Sequence, residues 1–452
     1  MTKLQVSWKI LAIVFLLAFT FRLISIDQSL WLDEATTARA VSTHSFSEIV
    51  TKFSPHDFHP PLYYLTLKVW TAIVGVSEPA LRFPSVVFSL LTGWVVYLIG
   101  KELKNKKTGL YAAIFFLFNP LIVYYSQEAR MYMMVTFLLT SLLYYLLRCS
   151  NPKNKIKKKD MVLVNILMVL SMLTFYGSAF FILAFYIFTW RKKATFQQVS
   201  VYLPGFIIGL LLVEPLLTVQ LLNAQETLKI VPNWASVLGK ANLKNLLLIP
   251  VKFSMGRITF EPKPLYYTVA FFWVGFLFYV AARKARQYKF LSTLFVLSIF
   301  LGFLFSFFRP LLQYFRFIYL VPIFCLLLAL GSQTKAQRVR ILLGFFFFSC
   351  VYLFNPAFHR EDWKGLRTSL TTVPKVYSVP TANDPILYYK HDIEIKDIRS
   401  ITQGSEDSLI IVPYAAEIYG FDYVKSLKTK GYFRIQAMSF RGLQLEQWRK
   451  SY

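Results

Sequence analysis

The segment QSLWLDEATTARA sets Asp33 and Glu34 side by side, about six residues beyond a long apolar run. Acids in such a place need a partner or a water-filled cavity, because a bare carboxylate at membrane depth is costly. If the pair faces a cavity, one carboxylate can take a proton from an acceptor while the other positions it. The pair falls in an expected helix, so one of the two points inward; a solvated helix face is the competing reading. SPHDFHPPLYY adds Asp57 as another acid, and Pro60-Pro61 fixes how the next helix starts. His56, Asp57 and His59 form a weak signature for a divalent metal, with hydrogen bonding the stronger reading of the three.

NPLIVYYSQEARMYMM places Tyr125, Gln127, Glu128, Arg130 and Tyr132 between two apolar runs. An arginine there is expensive without a partner. A lipid-linked phosphate would supply one, and so would an acid such as Glu128 or snorkelling to head groups. RPLLQYFRFIYLVP offers Arg309 and Arg316 in the same way, and Arg316, flanked by aromatics, is the better candidate. Glu214 reads as a local polar contact. Arg82, Glu361 and Asp362 complete the set of unusual polar residues, all expected on the outer side of the membrane.

The elements that must position them are mostly membrane helices. The chain is 56% apolar and 18% aromatic, and only 16% of its residues are charged. Apolar runs recur from Leu11 to Leu353, so the fold class is an α-helical polytopic membrane protein. The net charge of +27 does not point to nucleic acid, because the basic residues lie in short clusters between apolar runs, the mark of cytoplasmic loops. These clusters are KELKNKK (101–107), KNKIKKK (153–159), RKK (191–193), RKARQYK (283–289) and KAQRVR (335–340). Cys149, Cys325 and Cys350 show no pairing pattern or metal spacing and read as small core residues.

With ~20 residues per span, about eleven transmembrane helices are expected, near 7–26, 83–102, 108–125, 130–148, 161–175, 177–190, 197–217, 265–282, 290–308, 315–331 and 340–354. Tyr176-Gly177 is a turn or a kink. The N-terminus is expected in the cytoplasm, with the first span retained and not cleaved. HPPLYYLTLKVWTAIVG (59–75) is apolar enough to span, but counting it would reverse every later basic loop, so it reads as a juxtamembrane helix. Residues 27–82 then form one long outer loop and 218–264 a second, within a transmembrane domain of residues 1–354. From 355 to 452, alternating segments such as DSLIIVPYA and YFRIQAM, interleaved with EDWKGLRTSL, predict a small extracytoplasmic α/β domain.

Asp-Glu after the first span, the D-x-H-P-P-L of Asp57 to Leu62, RFPS leading into the second span and YSQEARMY together resemble the bacterial protein O-mannosyltransferase-like (dolichyl-phosphate-mannose-type) glycosyltransferases of the GT-C membrane superfamily. QYFRFIYLVP followed by HREDWKGLR is similar to them too. The resemblance implies an inverting hexosyltransferase of the cell membrane that uses a polyprenyl-phosphate-linked sugar. Asp33 would be the catalytic base, with Glu34 and Asp57 as supporting acids. Arg130 and Arg316 would contact the donor phosphate, Arg309, Gln127 and Tyr132 would lie on the donor side, and His59, Glu128 and Tyr125 would shape the pocket. The family's aspartate shortly after the tyrosine matching Tyr132 is missing in MYMMVTF, which leaves the acceptor open among lipid, glycan and protein. A lipid-linked sugar flippase and an outer-face ligase using pyrophosphate-linked glycans stay as alternatives. The donor sugar and any metal requirement are not fixed by the sequence.

Overall fold

The computed structural model describes residues 8–149, 158–190, 200–231, 233–402 and 406–451. A helix stands at each segment expected to span. Among the described residues, six helices are long and apolar enough to cross a membrane alone, or seven if the bent pair Lys106–Leu117 and Pro120–Ser126 is one span. The expected count of eleven is therefore not matched on these criteria. Several of the others are short, such as Ser178–Trp190 and Lys289–Phe305, with 13 and 17 residues. Tyr176-Gly177 is a turn between two helices, Lys158–Thr174 and Ser178–Trp190, and Tyr319 Oη donates to the Gly177 carbonyl at 3.1 Å.

The helices Glu78–Leu103 and Lys106–Leu117 pack through glycine. A Cβ on Gly109 would lie 2.4 Å from the Tyr97 carbonyl oxygen, so only hydrogen permits this approach. The bend after Leu117 is built by Asn119, whose side chain caps the next helix at Leu121 N and Ile122 N while Pro120 starts it. The same side chain donates to the Phe253 carbonyl at 2.8 Å, tying the bend to the helix Leu243–Met255.

The described basic clusters gather at one end of the bundle. Arg283 donates to Gln333 at 2.7 Å, and Arg338 lies over the Tyr111 ring at 5.1 Å. The cluster RKK (191–193) and most of KNKIKKK lie outside the described residues.

The segment 27–82, expected to contain helices, contains them, and the segment 218–264, read as a loop, is largely helical too. Leu62–Val74 is a separate helix of 13 residues, too short to span at ~1.5 Å per residue. The helix expected to end near 217 continues to Ile230. Its extension lies over the 54–59 turn, where Gln220 Nε2 donates to the carbonyls of Ser54 and His59 and Asn223 Nδ2 to that of Pro55.

After Phe354 the chain forms a five-stranded sheet. The strands are β1 (Lys375–Ser378), β2 (Glu394–Asp397), β3 (Ser408–Val412), β4 (Tyr432–Phe440) and β5 (Leu443–Lys450), in the order β2-β1-β3-β5-β4. β2, β1 and β3 are parallel, while β5 runs antiparallel to both β3 and β4. Alternate residues feed two cores. Val376 and Val412 face the helices Trp363–Ser369 and Asn383–Tyr389, whereas Tyr377 and Ile411 face Leu427 of the helix Tyr423–Thr429. The sheet unit docks on the 27–82 segment: Leu30 N donates to Tyr389 Oη at 2.9 Å, Thr36 Oγ1 to Asp384 at 2.7 Å, and Tyr388 Oη to the Val76 carbonyl at 2.7 Å.

Candidate functional site

A cavity of about 720 Å³ lies between the end of the helix bundle and the sheet unit. Asp33, Asp57, His59, Glu128, Arg130 and Arg316 line it, together with His56, Tyr125 and Tyr132. Residues far apart in sequence meet here because the four residues of the Gln127–Arg130 turn together bind several different elements. Gln127 Nε2 donates to the carbonyls of Arg22 and Ile24 at the end of the first helix, at 2.9 and 2.5 Å. The Glu128 carbonyl accepts from Ser85 Oγ at 2.7 Å, and Ala129 N donates to Glu34 Oε1 at 2.7 Å. Arg130 reaches Thr37 Oγ1 at 3.0 Å, Tyr64 Oη at 3.1 Å and His59 Nδ1 at 3.1 Å.

The helix Leu32–Thr43 turns the acidic pair in opposite directions. Asp33 faces the cavity, 37% exposed, with Arg130 Nη2 at 3.8 Å from its Oδ2. Glu34 is buried and takes a bidentate pair from Arg82, Nε at 2.9 Å and Nη2 at 2.6 Å. Expected as a supporting acid, it stands outside the cavity lining, engaged by Arg82 and by Ala129 N. Gln127 likewise holds the turn and does not line the cavity, and Arg309 is also outside the lining. Glu214 bonds its neighbour Thr218 at 3.0 Å, as a local contact.

Asp57 accepts from Tyr64 Oη at 2.6 Å and lies 3.3 Å from His59 Nδ1. Burial works against its charge, but the contacts with His59, Arg130 and Tyr64 outweigh it and hold the carboxyl at about 2. Burial pushes His59 below its ordinary value against the pull of Asp57, with Arg130 and Arg316 adding to the drop. Arg130 thus acts on both groups, favouring the charge on Asp57 and opposing one on His59. The metal reading of His56, Asp57 and His59 is not supported by their placement. His56 Nδ1 is engaged with the Lys52 carbonyl at 3.0 Å, and among the described residues no three His, Cys, Asp or Glu side chains converge on a metal position.

The sheet side supplies Arg360, Glu361 and Tyr414, and the Leu243–Met255 helix leads into Arg257. Arg360 lies 3.7 Å from the Trp31 ring centroid and donates to Glu128 Oε1 at 3.4 Å. Arg257 stacks on Tyr124 at 4.8 Å and donates to its hydroxyl. Sequence reasoning assigned no role to Arg257 or Arg360. Arg257 sits in the segment read as a polar loop, and the only signal for Arg360 was its place in HREDW.

Burial pushes the Glu128 carboxyl up to about 7, against the opposing charge of Arg360 and with Glu34 reinforcing the shift. The folded protein thus holds this proton to a higher pH than the unfolded chain does, so stability falls as pH rises from the ordinary carboxyl range to about 7. Glu128→Gln is expected to flatten the melting temperature between pH 5 and 7. An unchanged slope in thermal melts would remove Glu128 as its source.

The fold is an apolar helical bundle capped by a sheet unit, with acids and arginines gathered where they meet. The chain shares this fold with ArnT from Cupriavidus metallidurans in the apo state, at 10% identity and a TM-score of 0.61 over 97% of this chain and 98% of that one. ArnT from the same organism bound to undecaprenyl phosphate aligns at 12% identity and TM-score 0.60, covering 98% of each chain. The oligosaccharyltransferase AglB from Archaeoglobus fulgidus, in complex with an inhibitory peptide and a dolichol-phosphate, aligns at 13% identity and TM-score 0.54 over 97% of this chain and 74% of that one. Residues 58–218 match the family model described as dolichyl-phosphate-mannose-protein mannosyltransferase. No curated protein sequence matches the chain.

Proposed function

We propose that the chain transfers a glycosyl unit, a hexose such as mannose, from a polyprenyl-phosphate donor to an acceptor hydroxyl at the outer face of the cell membrane. The observation that carries this reading is Asp33, a half-exposed carboxylate in a cavity whose walls also present Arg130, Arg257, Arg316 and Arg360. Asp33 takes the proton of the acceptor hydroxyl, whose oxygen attacks the anomeric carbon from the face opposite the phosphate. The bond from that carbon to the phosphate oxygen breaks, and its electron pair stays with the phosphate. Guanidinium groups meet the charge that develops there, and a buried cavity makes such stabilisation strong. The solved relatives that bind undecaprenyl phosphate and a dolichol-phosphate support a lipid-phosphate donor, and the description of the family model supports mannose.

Transfer is favoured over flipping by where the ionisable groups lie. Flippases carry them along a path near the midplane. Here the acids and arginines gather in one cavity, where the end of the helix bundle meets the sheet unit.

The test is to incubate purified protein with a panel of polyprenyl-phosphate sugars, with and without membrane extract as acceptor source. Consumption of one donor, dependent on extract, is expected; no consumption of any donor overturns the transferase reading. Arg316 lines the cavity with its guanidinium stacked at 5.9 Å from the Phe315 ring and holding one long bond to the Pro310 carbonyl. Arg316→Ala is accordingly expected to raise the donor KM about tenfold or more, with a smaller change in kcat. An unchanged KM would place the phosphate elsewhere.

A further inference from the structure

The cavity wall holds a second group of polar atoms, contributed by both the helix bundle and the sheet unit. Trp31, Glu128, Arg360, Glu361 and Thr381 line the cavity, and Trp31 Nε1, Glu128 Oε2, Arg360 Nε, Glu361 Oε2 and Thr381 Oγ1 are buried in its wall with no hydrogen-bond partner within the protein. Buried polar groups are rarely left unpaired, since each costs its full desolvation. Several orphans around one cavity therefore signal a polar ligand.

The mixture identifies the ligand class. Trp31, Arg360 and Thr381 offer N–H or O–H donors, Glu361 offers an acceptor, and the Glu128 carboxyl, which holds its proton up to about pH 7, donates or accepts. A phosphate would answer only the donors, and an amine only the acceptors. Vicinal hydroxyls, which donate and accept at once, answer both. The carboxylates are held for this purpose: Glu361 Oε1 accepts from Tyr414 Oη at 3.2 Å, and Glu128 Oε1 from Arg360 at 3.4 Å, so each keeps its second oxygen free.

We infer that this wall is a subsite for a neutral sugar ring, with Glu361 and Tyr414 as specificity-determining residues contributed by the sheet unit. The inference rests on the transferase reading and deepens it. The ring belongs to the donor sugar or to a glycan acceptor, and binding measurements separate the two.

The experiment uses the full chain in detergent. Affinities for undecaprenyl phosphate and for undecaprenyl-phosphate mannose and glucose are measured by titration calorimetry, and the amount of membrane extract giving half-maximal donor consumption is measured in parallel. Glu361→Gln and Tyr414→Phe are compared with wild type. Both substitutions are nearly isosteric, and an unchanged affinity for bare undecaprenyl phosphate certifies the fold.

A loss of about tenfold or more in affinity for a sugar-bearing lipid alone places the donor ring at the subsite. Unchanged binding of every lipid with about a tenfold rise in the extract required places an acceptor ring there. If neither quantity changes, or if bare undecaprenyl phosphate is weakened as much as its sugar-bearing forms, the subsite assignment is wrong while the transferase reading stands. A wild type that consumes no donor and binds no sugar-bearing lipid better than undecaprenyl phosphate overturns both. Asp33→Asn run beside these keeps its lipid affinities, which separates binding at the subsite from the role of the base.

Discussion

Asp33→Asn is expected to leave the protein folded and able to bind undecaprenyl phosphate, while donor consumption falls by roughly 10²–10⁴-fold, the usual cost of removing a positioned base. The fold should tolerate the change because the Asp33 side chain carries little of it. Its charged contact is a long one, 3.8 Å from Arg130, and the helix Leu32–Thr43 is held by other groups, including the Thr37 hydroxyl on the Asp33 carbonyl at 2.7 Å. Arg130 keeps its bonds to Thr37, Tyr64 and His59, so the phosphate side of the cavity is not released. The loss should therefore fall on kcat, as for an interaction needed in the transition state. Activity near wild type in the Asn variant would exclude Asp33 and move the search for a base to Asp57, Glu128 or Glu361.

The chemistry-bearing face was more legible in the sequence than its supports. Asp33, Arg130 and Arg316 stood out because charge beside apolar runs is expensive, and all three line the cavity. The helical positions were legible for the same reason, through apolar runs bounded by basic clusters. Pairing was not legible. That one acid of the Asp33-Glu34 pair turns away from the cavity followed from the expected helix, but the partner of Glu34, 48 positions away, did not. Segments of intermediate polarity misled as well. The stretch after residue 217 carries Gln220 and Asn223 and reads as loop, yet those amides are the bonds that fasten a continuing helix to the 54–59 turn. β5 reads LQLEQWRK, and its polarity hides a strand whose inward residues are Leu443, Leu445 and Trp448. Arg360 and Glu361 reach the site only because the sheet unit docks over it, a tertiary fact with no local signature.

Arg82→Ala is expected to cost ~3–5 kcal/mol of stability, the range for leaving one member of a buried ion pair alone. Arg82 is 1% exposed, and its guanidinium serves two layers of the structure at once. It pairs Glu34 through two bonds and donates to the carbonyls of Ile26, Gln28 and Ser29, closing the turn that joins the first helix to Leu32–Thr43. Glu34 in turn holds Ala129 N, so the loss would spread to the turn that carries Arg130. Lysine cannot rescue it, because an ammonium lacks the planar fork that meets the carboxylate and three carbonyls together. Glu34→Gln keeps the shape and the bond from Ala129 but not the charge, and it should be milder than Arg82→Ala in thermal melts in detergent. Activity should fall with the folded fraction in both variants, without the pH or KM signature of a catalytic group. If Glu34→Gln instead melted like wild type but lost turnover, the carboxylate would belong to the reaction and not to the scaffold.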